Sequence, residues 1–305
     1  RCHVVVKGDL DAFPFQPRYP NEKPSGIFKI TGKIENGKLN PAPLELATDK
    51  YTQLWPRIED IRGNLVIDRT RLSIHADSAK TRSVVLSAVD VVIPDYWSEK
   101  ITVDVNGTAT GSLQTMLTYV NSTPVLEWIG NFTEETRASG SARLNLKMAL
   151  PLYDGGKPSV QGNLRFQGND VQLMRSTPSL QQTIGELSFS DKGFQLASMQ
   201  GNFLGGPLSF SGGTQRDGNT QIRFEGGMTS DGLVRSLPGQ AIRKLSKKIT
   251  GGTRYSALLR IKNQRPELTL ESSLVGLALD FPGAFAERCK RNFAFAFLAC
   301  TAGCL

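Results

Sequence analysis

Few residues in this chain have the type and spacing that chemistry needs, and each candidate fails a different requirement. Gly32-Lys33-Ile34-Glu35-Asn36-Gly37-Lys38-Leu39 follows a phosphate-binding P-loop until its last position, where Leu39 replaces the Ser or Thr that would hold magnesium. Its flanks alternate like two strands of a hairpin, with no helix to offer an N-terminus to a phosphate, so an Asn36-Gly37 turn explains the residues better. His3 and His75 are the only histidines, too few for a Ser-His-Asp arrangement or a His-rich metal site, and His75 falls on the polar side of an alternating run. Glu59-Asp60 and Glu134-Glu135 are adjacent pairs whose side chains diverge on a strand or loop, which does not suit a cooperating acid and base. Leu204-Gly205-Gly206-Pro207-Leu208 is what a bulge or sharp bend of a sheet requires. The sequence thus supplies no catalytic residue, metal-ligand set or cofactor motif, and the expectation is a protein that is not an enzyme.

The elements around these residues read mainly as strands. The composition, 39% hydrophobic and 21% charged over 305 residues, lies far from the disordered corner, so the chain should fold. Thirty glycines and sixteen prolines punctuate short alternating runs, which favours many strands over long helices. Ile27–Ile34, Ser141–Met148, Gln221–Phe224 and Glu267–Glu271 each place apolar side chains on one face. Turn chemistry stands between such runs at Asn36-Gly37, Asp154-Gly155-Gly156, Lys192-Gly193, Asp217-Gly218-Asn219 and Gly251-Gly252, as in an antiparallel meander. Helical spacing is confined to 112–121, to a short piece after Pro124, and to two pieces in 231–248 broken at Pro238-Gly239.

Segments beginning at Pro56 and Pro178 repeat one another. Pro56, Ile58, Gly63, Leu65, Ile67, Leu72, Ile74 and Leu86 stand where the second copy has Pro178, Leu180, Gly185, Leu187, Phe189, Phe194, Leu196 and Leu208. A repeated strand unit suggests an array whose members bury their faces against neighbours. The cysteine-free body between Cys2 and Cys289 excludes a disulfide framework. No window reaches the roughly 18 apolar residues of a spanning helix, and the chain opens on Arg1 without a leader, so any anchor or signal is expected outside this segment.

One-faced strands must cover their apolar side, and the helices are too few and short to do it. Two arrangements remain open: a closed β-sandwich with a dry core, or an open trough whose lining is covered by lipid tails at about 0.8 kcal/mol per buried methylene. The formal charge of +8 allows an anionic partner. Arg243, Lys244, Lys247, Lys248 and Arg254, beside Leu245 and Ile249, would suit anionic head groups or form a plain solvated face. Without interleaved aromatics they do not suit nucleic acid.

These residues, taken in order, resemble the YhdP-type AsmA-like family from about Val4 to Pro282. The resemblance is carried by Gly8-Asp9-Leu10-Asp11-Ala12-Phe13-Pro14-Phe15, Gly26-Ile27-Phe28-Lys29-Ile30, Gly37-Lys38-Leu39, Trp55-Pro56-Arg57-Ile58-Glu59-Asp60-Ile61-Arg62-Gly63, Val120-Asn121-Ser122-Thr123-Pro124, Phe203 to Leu208, and Leu274 to Pro282. It implies an internal piece of a large Gram-negative envelope protein, periplasmic and anchored in the inner membrane beyond this segment. Its long β-groove would conduct phospholipid toward the outer membrane and help maintain that membrane's barrier. The expected fold is then mainly β, an extended, curled antiparallel groove built from repeats with a few short helices. Ile222, Phe224, Leu268, Leu270, Leu144 and Leu146 would line the acyl-chain path, and Arg243, Lys244, Lys247 and Lys248 would meet head groups. The rival is a structural or adaptor β-domain of the envelope with a closed core and protein partners.

The expected organisation is a first β block at 1–110, a helical connector at 111–137, a second β block at 138–228, short helices at 229–250 and further strands at 251–282. After Pro282 register, composition and cysteine count change together, with Cys289, Cys300 and Cys304 crowded into the last stretch. A shifted reading frame or damaged gene is the expectation for 283–305, outside the fold, and a genuine short apolar tail is the other reading.

Overall fold

The computed structural model describes residues 2–17, 23–41, 55–129, 131–236, 249–262 and 265–279. Residues 283–305 and the second helical piece expected after Pro238-Gly239 lie outside them. The alternating runs form β1 (Cys2–Lys7), β2 (Ile27–Leu39), β3 (Ile58–Asp68), β4 (Arg71–Thr81), β5 (Val84–Ile93) and β6 (Thr102–Ser112). Helices α1 (Leu113–Asn121) and α2 (Val125–Trp128) follow where the sequence pattern puts them. Then come β7 (Arg137–Ala138), β8 (Ser141–Pro151), β9 (Ser159–Gln172), β10 (Leu180–Ser190), β11 (Gly193–Phe203), β12 (Gly205–Thr214) and β13 (Thr220–Thr229). Helix α3 (Ser230–Ser236), β14 (Ile249–Lys262), β15 (Arg265–Ser272) and β16 (Leu277–Leu279) complete the described chain.

Hydrogen-bonded neighbours follow chain order from β1 to β15, with β7 pairing β9 and β16 pairing β14 off that path. The protein is therefore mainly β and antiparallel, with few short helices. It divides into two compact units, Arg1–Asn131 with Arg143–Asn163, and Phe132–Ala142 with Leu164–Leu305.

The repeat seen in sequence is a repeat in structure. Strands β10 and β11 begin and end 122 residues after β3 and β4, the offset from Pro56 to Pro178. Asp60 and Gln182 occupy matching places and both have positive φ, 54° and 50°, at matching breaks of register. Each is the extra residue of a β-bulge, which bends and twists its strand. The matching glycines follow three residues later because backbones meet there. A Cβ at Gly63 would stand 2.0 Å from the His75 carbonyl oxygen, and one at Gly185 2.7 Å from Met199 Sδ. Arg82 and Leu204, also 122 apart, share φ values of 54° and 53° in the next tight turns.

Two expected turns are not turns. Asn36-Gly37 lies inside β2: Asn36 has φ 54° at a register shift, and pairing resumes with Gly37 opposite Ile61 and Leu39 opposite Ile58. Asn tolerates the left-handed region in a bulge for the same reason it does in a hairpin turn. Gly251-Gly252 lies inside β14, with Gly251 opposite Leu277 of β16 and Gly252 opposite Thr229 of β13. A Cβ at Gly251 would stand 2.2 Å from the Gly276 carbonyl oxygen, so glycine here serves close strand approach rather than chain reversal.

Candidate functional site

In the second unit the ladder registers carry apolar rows straight across the strands. Leu187, Leu196, Gly212, Ile222, Leu259 and Leu268 are successive partners from β10 to β15. Met199, Phe210, Phe224, Ala257 and Leu270 form the next row. Directly opposed residues of an antiparallel ladder point to the same side, so Ile222, Phe224, Leu268 and Leu270 share one face. Phe210 and Phe224 stack on it with ring centroids 5.7 Å apart. The alternate residues Arg223, Glu225, Arg254, Arg260, Glu267 and Glu271 are exposed and belong to the opposite face.

The apolar face is incompletely covered. Leu208, Tyr255 and Ala257 form a buried cluster, with Leu180, Phe203, Phe210, Phe224, Met228 and Leu270 partly buried against it. Leu187, Leu196 and Leu259 are only half-buried, and Leu268 is 52% exposed. Helix α3 reaches β12, β13 and β14 at one end of the strands. Its start is fixed by the Thr229 hydroxyl accepting from Gly232 N–H at 3.0 Å.

The first unit repeats this division. Val4, Ile30, Ile67, Leu72 and Ile93 form one row from β1 to β5, and Leu65, Ile74, Val91 and Val105 another from β3 to β6. Away from the edge residue Val4, these side chains are half-buried. Thr108 Oγ1 donates to Asn145 Oδ1 at 2.9 Å on the polar side, so alternation puts Leu144 and Leu146 of β8 on the other side, where both are half-buried.

Apart from Ala76 in the middle of β4, full side-chain burial among the described residues of the first unit gathers at the strand ends. Ala79, Thr81 and Val84 are buried at the end where β6 runs into α1, as are Leu113, Met116 and Leu126 of the helices. Ser112 caps α1 by accepting from Thr115 N–H at 3.4 Å. Trp55 meets Tyr119 and Trp128 there at centroid distances of 6.2 and 6.1 Å, and burial pushes the Tyr119 phenol up to about 12. At the opposite strand ends Phe13 lies 5.8 Å from Phe15, 4.8 Å from Phe28 and 6.0 Å from Trp97, with Phe15 fully buried. These clusters join residues distant in the chain, so no local sequence pattern announces them. Tyr255 and Phe210 are also absent from the sequence-derived lining. Alternation through Thr253, Tyr255 and Ala257 could have revealed Tyr255, but the adjacent Leu258-Leu259 obscures the period.

The remaining candidates take ordinary places. His75 is exposed on β4, its ring Nδ1 2.6 Å from Asp90 Oδ1 directly across on β5 and its Nε2 3.5 Å from Asp77 Oδ1. Asp60 pairs with Lys80 at 3.1 Å, and Glu135 accepts from Arg175 N–H at 3.5 Å. Arg243, Lys244, Lys247 and Lys248 lie outside the described residues, and Arg254 is exposed on the polar side of β14. No helix among the described residues is long and apolar enough to cross a membrane, which says nothing of strands.

A sequence model of the YhdP family matches residues 1–298. The chain belongs to the YhdP family. Among curated relatives, the "Intermembrane phospholipid transporter YhdP" of Escherichia coli strain K12 is 22% identical over 210 residues, covering 68% of this chain and 15% of the relative. The chain therefore spans a small part of the length of that YhdP protein. No solved structure matches.

Proposed function

We propose that the apolar face of each unit is a lipid-binding surface, and that the segment serves phospholipid transport within a Gram-negative envelope protein. The observation that carries this reading is the segregation of charge on β10 to β15, where Ile184 and Leu258 are apolar residues on the charged side. Leucine, isoleucine and phenylalanine run across one side in register while charge is confined to the other, and the apolar side is left half-covered by protein. Acyl chains laid over Phe224, Leu268 and Leu270 beside the already buried Ile222, and over Leu144 and Leu146 in the first unit, would supply the missing cover by ordinary hydrophobic burial, with no catalytic step. The name of the Escherichia coli relative favours phospholipid as the cargo and places that relative's work between membranes. Arg243, Lys244, Lys247 and Lys248, which follow α3 in the chain, are the proposed head-group contacts. The fuller picture, a continuous groove that maintains the outer-membrane barrier, belongs to the same proposal.

The test is direct. The chain, extracted mildly and purified without detergent, should carry phospholipid detectable by mass spectrometry. Leu270→Asp, on the apolar face, should abolish loading, and Thr269→Asp, on the polar face of the same strand, should leave it intact. Folded protein that repeatedly carries no lipid, or equal loading of the two variants, would defeat the proposal.

A further inference from the structure

One row of the second unit differs from its neighbours. Thr183 of β10 lies beside Gly201 of β11, whose successive partners are Leu208 of β12, Gly226 of β13, Tyr255 of β14 and Ser272 of β15. The row is on the apolar side, toward the strand ends that meet α3, and it carries three hydroxyls and two glycines where the next row away from α3 carries Met199, Phe210, Phe224, Ala257 and Leu270. Ser272 Oγ is satisfied, donating to the Arg254 carbonyl oxygen at 2.7 Å, which leaves Thr183 and Tyr255. Thr183 is 1% exposed and Tyr255 8% exposed, and neither Thr183 Oγ1 nor Tyr255 OH has a hydrogen-bonding partner among the described residues. A buried hydroxyl without an acceptor is costly, and native proteins rarely leave one so.

The glycines give the pair its geometry. Tyr255 OH lies 3.1 Å from where a Cβ on Gly226 would stand, so the ring leans off its own strand and its oxygen rests above a residue with no side chain. Thr183 Oγ1 lies 3.5 Å from the corresponding point on Gly201. Each hydroxyl thus has a neighbour that contributes no bulk, but both oxygens are closed off from solvent, and Leu208, which stands between them, must move aside for a ligand to reach them.

The chemistry of the face selects the group these hydroxyls would meet. A hydroxyl can donate or accept, but its proton is satisfied only by an acceptor, and that is the partner each of these lacks. The inward positions of β10 to β15 read Thr183, Leu187, Phe194, Leu196, Met199, Phe203, Leu208, Phe210 and onward to Tyr255, Leu259 and Leu270 without a charged residue. A phosphate or carboxylate would enter uncompensated, whereas a neutral carbonyl would not. On the lipid-binding reading above, a diacyl lipid has neutral carbonyls in one place, the two esters joining its acyl chains to glycerol.

We propose that Thr183 and Tyr255 are ester-carbonyl anchors that fix the depth of a diacyl lipid on the second unit, its chains running over the Phe210–Phe224 and Ile222–Leu259 rows and its head group directed toward the α3 end. The first unit carries a related feature: Thr81 Oγ1 is buried and unpartnered at the strand ends that meet α1.

The full chain is incubated with phosphatidylcholine vesicles containing equal amounts of dioleoyl phosphatidylglycerol and its diether analogue, which keeps head group and chains but lacks both carbonyls. It is then re-isolated and the two bound lipids are quantified by mass spectrometry. Wild type should retain the diester over the diether by about thirtyfold, about fivefold for each of two net hydrogen bonds of about 1 kcal/mol. Tyr255→Phe and Thr183→Val should each move that ratio toward unity with diether binding unchanged. Equal retention by wild type overturns the anchor proposal while leaving the apolar-face reading standing, and needs no variant to fold. An unchanged ratio in both variants overturns it equally, and retention of no lipid at all, phosphatidylcholine included, removes the reading beneath it as well.

Discussion

The two units solve one geometric problem with different side chains. Strands β3 and β4 recur as β10 and β11 at a fixed offset, bulge for bulge and tight turn for tight turn. Both units also end a strand by running it into a hydroxyl-capped helix, Ser112 before α1 and Thr229 before α3. They differ in where they place bulk. The first unit keeps aliphatic residues along the middle of its face and sets aromatic clusters at both strand ends. The second sets Phe210, Phe224 and Tyr255 on the face itself. Backbone geometry is therefore the repeated quantity, and the side chains laid on it are free to specialise.

The sharpest test of that equivalence is Gly63→Val against Gly185→Val. A side chain at either position runs into the next strand, so each should cost about 3 kcal/mol or more in urea unfolding, and a mild effect at one position alone would break the structural match. Next comes a device of the second unit. Asn169 is fully buried, accepts from Gln167 N–H at 2.8 Å and donates to the Ser139 and Ser141 carbonyl oxygens at 2.8 and 3.0 Å. Asn169→Ala strands those groups and should cost about 2 kcal/mol.

The caps should be smaller and similar. Ser112→Ala and Thr229→Val should each lose about 1 kcal/mol, with the loss confined by hydrogen exchange to α1 or α3. The smallest effect separates the units by pH. The hydrogen bond and charge of Asp90, then the charge of Asp77, raise the His75 pKa above its ordinary value. The stabilising contact is thus fully present below the ordinary histidine value of about 6.5 and is lost as pH rises through the raised folded value. Asp90→Asn should lower the His75 pKa seen by NMR. The matching residue of the second unit is Ala197, so that unit should show no such titration.

Much of this was legible in the chain because period-two alternation survives wherever a strand is regular. The runs holding Ile222 and Phe224, and Leu268 and Leu270, predicted a shared face, and the ladder registers place all four on it. The helices after Gly111 and Pro124 were equally plain. Bulges were not, because Asp60, Gln182, Ala88 and Ser198 adopt positive φ without a glycine to signal it, and Asn36-Gly37 advertised a turn that continuing strand pairing overrides. The unpartnered hydroxyls could not be read at all. Thr183 and Tyr255 look like ordinary strand residues until the registers set them on one row.

The ladder's plain order bears on how the protein is made. Within each unit a strand finds its partner in the hairpin just before or after it, so few distant segments must meet before pairing begins. Loop closure is then a small entropic hurdle at each step. A nascent chain can add strands in the sequence in which they leave the ribosome, each new hairpin using the previous one as its template.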